Sequence, residues 1–312
     1  MTLPLTVIGG YLGAGKTTLV NRLLTNAGGR RVAVLVNDFG DIAVDAALIE
    51  ADDGDTISFA NGCVCCSLAD GFAAALGRLR ERSERFDHVV VEVSGVGNPG
   101  TVAQWGHTPG FTLDAVIVLA DATSIRTQVV DPYVGETVVA QLEAADLVVV
   151  TKLDLVDEQQ ETDLRAALAA YTDVPLVTDP VAFETLMAST PNPAGAPMPT
   201  EAHATHLTRT TEVVSPLTRP RLLELLGARP EGVVRVKGVV RLAGEDQPVV
   251  VQVVGRRVEV TPATNQPGEV TPAIVAVAVP GTAEHELDEW IATLGPTNGP
   301  ASAQGPRSSL AP

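Results

Sequence analysis

Aromatic residues are scarce in this sequence: Phe, Tyr and Trp together make up 4% of its 312 residues. A core must therefore be built from Val, Leu, Ala and Ile, which favours buried parallel strands covered by Ala/Leu-rich helices. Cysteine is scarcer still. All three cysteines lie within four positions, which excludes the disulfide framework of a small secreted domain. No stretch approaches the ~20 apolar residues that a membrane-spanning helix needs. The first residues lack a positive segment leading into a long apolar one, so no secretory signal is expected. Positive charge is also in deficit, with 21 Lys and Arg against 38 Asp and Glu and a formal net charge of −17. Such a chain repels nucleic-acid phosphates and anionic membrane surfaces, so neither is expected as a partner. Together these absences point to a reducing, cytoplasmic compartment. They do not exclude a nucleotide whose phosphates are held by backbone N–H groups and one lysine.

What is present is a run of Val-rich segments. Residues 5–9, 31–37, 56–60, 87–93, 114–120 and 145–151 read as strands, and 17–26, 68–84, 135–143 and 158–170 carry helical spacing. Strands alternating with helices predict βα units and a parallel sheet wrapped on both faces. Residues 179–207 are rich in Pro, Ala, Thr and Ser and read as a linker. A second unit follows, with strands at 208–214, 233–242, 249–254, 258–260 and 274–279 and helices at 219–227 and 283–294. The expected fold is therefore an α/β P-loop NTPase sheet with helices on both faces over 1–178, and a small α+β domain over 208–294. The remainder, 295–312, has the composition of a disordered tail.

The strongest motif is the phosphate loop. Gly10-Tyr-Leu-Gly13-Ala14-Gly15-Lys16-Thr17 matches G-x-x-x-x-G-K-[ST] and sits between a predicted strand and a predicted helix. Glycines let the backbone turn so that several N–H groups converge on phosphate, and the helix N-terminus adds partial positive charge. Lys16 is expected on the β- and γ-phosphates, and the Thr17 hydroxyl on Mg²⁺. Thr18 continues the helix start as a further phosphate-side residue. Glu92 ends an apolar run at a plausible distance to be the Mg²⁺-side carboxylate; the bland alternative is a solvent-facing acid at a strand end. Thr151-Lys152-Leu153-Asp154 follows another Val-rich run. An aspartate there accepts two hydrogen bonds from guanine, which adenine cannot supply, so GTP is expected over ATP. Thr151 stands where Asn is more usual, which weakens one base or loop contact.

Gly62-Cys63-Val64-Cys65-Cys66 is the second feature with chemistry. Three thiolates this close can share one tetrahedral Zn²⁺ and leave a fourth position open. Soft sulfur favours Zn²⁺ or Cu(I) over Mg²⁺. The competing reading is a trio of small buried hydrophobes. His203 and His206 form H-x-x-H in a polar stretch, which reads as coincidence sooner than as a metal site. His88, His107 and His285 show no pattern.

These residues together resemble the CobW-like family of P-loop GTPases, across nearly the whole chain. The phosphate loop resembles the family's Walker A. Asn37-Asp38-Phe39-Gly40 resembles its N-E-F-G switch, with Asp38 one methylene shorter than the usual Glu. Asn61 through Cys66 is its C-x-C-C signature. Glu92-Val93-Ser94-Gly95 followed by Asn98-Pro99 resembles its Walker B region. Asp121, Gln141 and Ala145-Asp146 fall as in the family, and Arg235-Val236-Lys237-Gly238 resembles its C-terminal R-x-K-G strand. The resemblance implies a slow, metal-responsive GTPase. Lys16, Thr17, Asp38 and Glu92 would carry catalysis. Cys63, Cys65 and Cys66 would bind zinc or a related divalent ion for a client metalloprotein. A GTP-gated module with structural zinc, and a cobalt-delivery factor in cobalamin synthesis, remain open at this stage.

Overall fold

The structure is a computed structural model. It describes residues 2–25, 30–36, 46–48, 57–59, 69–178, 207–213, 217–263, 272–279 and 281–295. Asp38, the three cysteines, His203, His206, nearly all of the expected linker and the tail beyond 295 lie outside these residues.

Six strands form a parallel sheet in the order β2-β5-β1-β6-β7-β8. They are β1 (Leu3–Gly10), β2 (Val32–Val36), β5 (His88–Glu92), β6 (Phe111–Asp121), β7 (Leu147–Thr151) and β8 (Leu176–Val177). Continuous apolar runs suit strands covered on both faces, and β1, β5, β6 and β7 are buried along almost their whole length. A short antiparallel pair, β3 (Ala46–Leu48) with β4 (Ile57–Phe59), forms its own two-stranded ladder, with β3 beside β2. The β3 strand and the two-residue β8 have no periodicity long enough to see in the sequence.

Alternate residues divide the sheet's faces. Leu5, Val7, Val89 and Val91 pack with Leu76 and Leu79 of α2 (Ala69–Glu81) and Val102 of α3 (Pro99–Ala103). On the same face, Val118, Val148 and Val150 meet Ile125 of α4 (Ile125–Gln128), Val138 and Leu142 of α5 (Gly135–Glu143), and Leu164 and Leu168 of α6 (Glu158–Leu168). The start of α6 is fixed by a capping box in which Asp157 and Gln160 satisfy each other's backbone N–H. The opposite face carries α1 (Lys16–Thr25), whose Leu19, Val20 and Leu23 pack on Ile8, Val34 and Val90. Helices thus flank both faces, as expected.

The rest of the α1 face is covered by a second sheet. Its antiparallel order is β12-β11-β10-β13-β9, built from β9 (Leu207–Glu212), β10 (Val233–Val240), β11 (Val249–Val254), β12 (Arg257–Pro262) and β13 (Ala273–Ala278). One face packs on α7 (Arg219–Gly227) and α8 (Glu284–Leu294), where Trp290 Nε1 donates to the Leu225 carbonyl at 2.8 Å. From the other face Val234, Val254 and Val277 enter the core of the first sheet. Alternating strands suggest a wet polar face, yet every residue of β10 is buried. The polar side chains of that face, Arg235 and Lys237, are covered by the first unit.

What they meet is Asp114. The β1–β6 register shifts between Leu5 and Thr6, which leaves Asp114 as the extra residue of a bulge. A bulge re-aims a side chain. Asp114 is fully buried and faces Arg235 Nη2 at 2.5 Å, Lys237 Nζ at 2.8 Å and Gln252 Nε2 at 3.0 Å. Burial opposes its ionisation, but the two cations hold its carboxyl well below the usual range. Burial pushes the Lys237 ammonium down to about 8. A second junction lies alongside, where Arg257 reaches Asp146 at 3.1 Å and also bonds the Asp114 carbonyl.

His88, which the sequence left unassigned, completes the cluster. The Thr6 hydroxyl lies 2.9 Å from His88 Nε2 and 3.3 Å from Asp114 Oδ2. A hydroxyl has one proton. If it donates to Asp114, the imidazole must donate into it, which assigns a neutral His88 protonated at Nε2. Burial pushes His88 down to about 3. A histidine depressed in the fold gives stability that is present above its unfolded pKa of 6.5 and is lost as pH falls toward 3. Lowering the pH from 7.5 to 5.5 should therefore cost about 1.4 kcal/mol through this one group. Urea unfolding at the two pH values checks this: His88→Gln should remove that increment, and an unchanged increment would contradict it.

Candidate active site

The chain leaves β1 toward β2 on one side of the sheet, while β6 pairs with β1 on the other. In open α/β sheets the crevice at such a switch point, outside the carboxyl ends of the strands, is where ligands bind. The loop from Gly10 to Thr17 occupies it. Gly10, Gly13 and Gly15 have φ of +131°, +78° and +91°, a region that L side chains rarely adopt. They differ in purpose. A Cβ on Gly10 would strike the Leu119 backbone, whereas Cβ atoms on Gly13 and Gly15 would point into open space. The first glycine serves close packing, and the other two line an open cradle shaped for a phosphate chain. Ala14 is buried beneath it, and Thr17 and Thr18 are exposed at the first turn of α1.

Lys16 is buried, with its ammonium 2.9 Å from the Gly10 carbonyl and 3.3 Å from that of Tyr11. Glu92 is buried too, and not the solvent-facing acid of the bland reading. The Thr17 hydroxyl donates to Glu92 Oε1 at 2.7 Å, across 75 positions of sequence. A hydroxyl and a carboxylate at the lip of a phosphate cradle are hard oxygen donors, the set that suits Mg²⁺.

The Thr151–Asp154 segment sits at the end of β7. Its Thr151 hydroxyl donates to the Ala14 carbonyl at 2.9 Å. Thr151 therefore ties this segment to the phosphate loop, a loop contact kept with a hydroxyl in place of an amide. Lys152 is the one non-glycine with positive φ among the described residues, at +58°. Such strain persists where the surroundings over-determine it, as at functional sites. Here its Nζ lies 2.5 Å from Asp121 Oδ2 at the end of β6. Burial raises the Asp121 pKa, but hydrogen bonds from Lys152 and Thr123 outweigh it and leave the carboxylate below its usual range. Asp154 follows in a short 3₁₀ turn, with its carboxylate exposed to a ligand. Asp121, the acid that closes the apolar run Asp114–Asp121, is thereby joined to this segment.

The structure thus brings together Gly10, Gly13, Ala14, Gly15, Lys16, Thr17, Thr18, Glu92, Thr151, Lys152 and Asp154 at the carboxyl ends of β1, β5 and β7. Asp38, Cys63, Cys65 and Cys66 lie outside the described residues. No group of three His, Cys, Asp or Glu among the described residues could hold a metal ion. No helix among them is long and apolar enough to cross a membrane.

Comparison with known proteins agrees with this geometry. The pattern described as the CobW/HypB/UreG nucleotide-binding domain matches residues 4–174. That of the cobalamin synthesis protein cobW C-terminal domain matches residues 208–292. The chain is 32% identical over 199 residues to a protein named zinc chaperone CobW from Sinorhizobium sp, covering 54% of this chain and 56% of that one. It is 33% identical over 171 residues to zinc chaperone YjiA of Escherichia coli, covering 52% of this chain and 53% of that one. The chain thus spans about half the length of the curated relatives it matches. A crystal structure of Zn(II)-bound YjiA GTPase from E. coli aligns over 94% of this chain and 99% of that one, at 22% identity and a TM-score of 0.42.

Proposed function

The chain belongs to the CobW/HypB/UreG family, and on that premise we propose that it is a GTP-hydrolysing metallochaperone that carries zinc, or a related divalent metal, to a client metalloprotein. In this reading residues 1–178 are the GTPase domain, 179–207 a linker and 208–294 the C-terminal domain. Cys63, Cys65 and Cys66 take the metal, with Asp38 in the switch segment between phosphate loop and cysteines. Thiolates kept free for metal require a reducing compartment, and we place the carrier in the cytoplasm.

The observation that carries the nucleotide half is the Thr17–Glu92 hydrogen bond beneath an open glycine cradle. Backbone N–H groups of the loop and the N-terminus of α1 receive the phosphates, and the Lys16 ammonium meets the charge that grows on them during transfer. Thr17 and Glu92 would hold Mg²⁺, which would supply positive charge to offset that of the phosphates. Thr151 and Lys152 fix the turn that presents Asp154 to the base. The description matched by the second domain favours one further reading, cobalt delivery in cobalamin synthesis; the chemistry of three thiolates accommodates either ion.

Phosphate release from GTP and from ATP, measured side by side on the purified chain, tests the nucleotide half. GTP should be hydrolysed, with ATP poorer by about a hundredfold or more in kcat/KM. Equal turnover of the two would contradict the guanine assignment.

A further inference from the structure

Gln141 stands out on α5. Val138, Leu142 and Ala145 are its inward neighbours at helical spacing and all are apolar, yet Gln141 is itself only 1% exposed. Its side-chain amide spans two backbone groups of one loop, donating to the Gly95 carbonyl at 3.1 Å and to the Gly97 carbonyl at 2.8 Å. With two carbonyl acceptors, the amide nitrogen must be the atom that faces them.

That loop runs directly from Glu92. Val93 N still pairs with Ile8 of β1, Gly97 N closes a turn onto the Ser94 carbonyl, and the Asn98 side chain then caps α3 through Gly100 N at 2.8 Å. The loop is packed on the phosphate cradle itself: a Cβ on Gly95 would strike the backbone and side chain of Leu12, and one on Gly9 would strike Pro99. The loop is therefore held against the phosphate cradle at the carboxyl ends of β1 and β5. Two glycines give this segment little stiffness of its own. Its ends are held by β5 and α3; its middle is held by Gln141.

We propose that Gln141 is a positioning residue for hydrolysis, clamping the Gly95–Gly97 backbone against the phosphate loop so that the attacking water and the terminal phosphate meet in line. It touches neither nucleotide nor Mg²⁺ and acts through the loop. The inference rests on the GTPase reading above. Loss of the clamp leaves one buried and one part-buried carbonyl without this donor and frees the loop, which affects the transition-state geometry more than ground-state binding.

The test uses the full chain, with GTP turnover, GDP affinity and thermal melting measured for wild type, Gln141→Met and Gln141→Asn. Methionine keeps the volume without a donor; asparagine keeps the amide one methylene short and is the milder variant should methionine impair folding. The expected result is a kcat about tenfold lower for Gln141→Met and about threefold lower for Gln141→Asn, with KM and GDP affinity within about twofold of wild type. Unchanged kcat in both variants, or a fall in kcat that merely tracks lost GDP affinity and melting temperature, would overturn the clamp while leaving the GTPase reading intact. Wild type without GTPase activity would overturn both.

Discussion

Replacing Lys16 by alanine is expected to lower kcat/KM for GTP by roughly a thousandfold, or ~4 kcal/mol, under the proposed GTPase reading. The size follows from where charge develops. A transferring phosphoryl group spreads negative charge over its outer oxygens, and a fixed cation within a desolvated cradle stabilises that charge far better than water does. Lys16 supplies that cation from the first turn of α1, with its ammonium at the loop carbonyls of Gly10 and Tyr11. Those hydrogen bonds lie within the loop and not in the apolar core, so melting should stay close to wild type. Phosphate release under saturating and limiting GTP measures the loss. A Lys16→Ala protein within tenfold of wild type would remove the phosphate loop from the chemistry.

Asp114→Asn is expected to have the largest effect on stability, about 3–5 kcal/mol. The carboxylate is fully buried and faces two cations that are themselves 1% and 5% exposed in their side chains. Asparagine keeps the shape and some hydrogen bonding but leaves Arg235 and Lys237 as uncompensated charge between the two sheets. The penalty arises from that residue of charge and not from lost packing, so it can be separated. A triple variant, Asp114→Leu with Arg235→Met and Lys237→Met, should recover most of the lost stability, because exchanging a whole buried ionic group for apolar side chains is often neutral or better. Urea unfolding of the two variants checks the claim. A triple variant no more stable than Asp114→Asn would show that the cluster acts through shape alone.

Much of the first domain was legible because its chemistry is local. The phosphate loop is eight consecutive residues, and the strands beside it are continuous Val-rich runs that only a doubly covered sheet can use. Less was legible where contacts are remote. Thr17 and Glu92 are each visible as candidates, but their hydrogen bond joins the start of α1 to the end of β5, which the sequence alone does not bring together. Arg235 and Lys237 could be read as a pattern, whereas Asp114 and His88 could not, because a bulge and a second sheet bring them together across more than a hundred positions. The alternation of β10 was read correctly as strand and hid the fact that its polar face is buried. Thr151 read as a weakened base or loop contact; its hydroxyl joins the segment to Ala14.

In the proposed function the phosphate site acts as a timer for the sulfur site. The switch segment at Asp38 and the cysteine loop at 63–66 both fall in sequence between Lys16 and Glu92, so the state of the terminal phosphate can bias the geometry of the thiolates. Zn²⁺ affinity of the full chain, measured with GDP and with a non-hydrolysable GTP analogue, tests this directly. Affinities at least about tenfold apart are expected, a coupling of ~1.4 kcal/mol. Equal affinities in the two nucleotide states would contradict it.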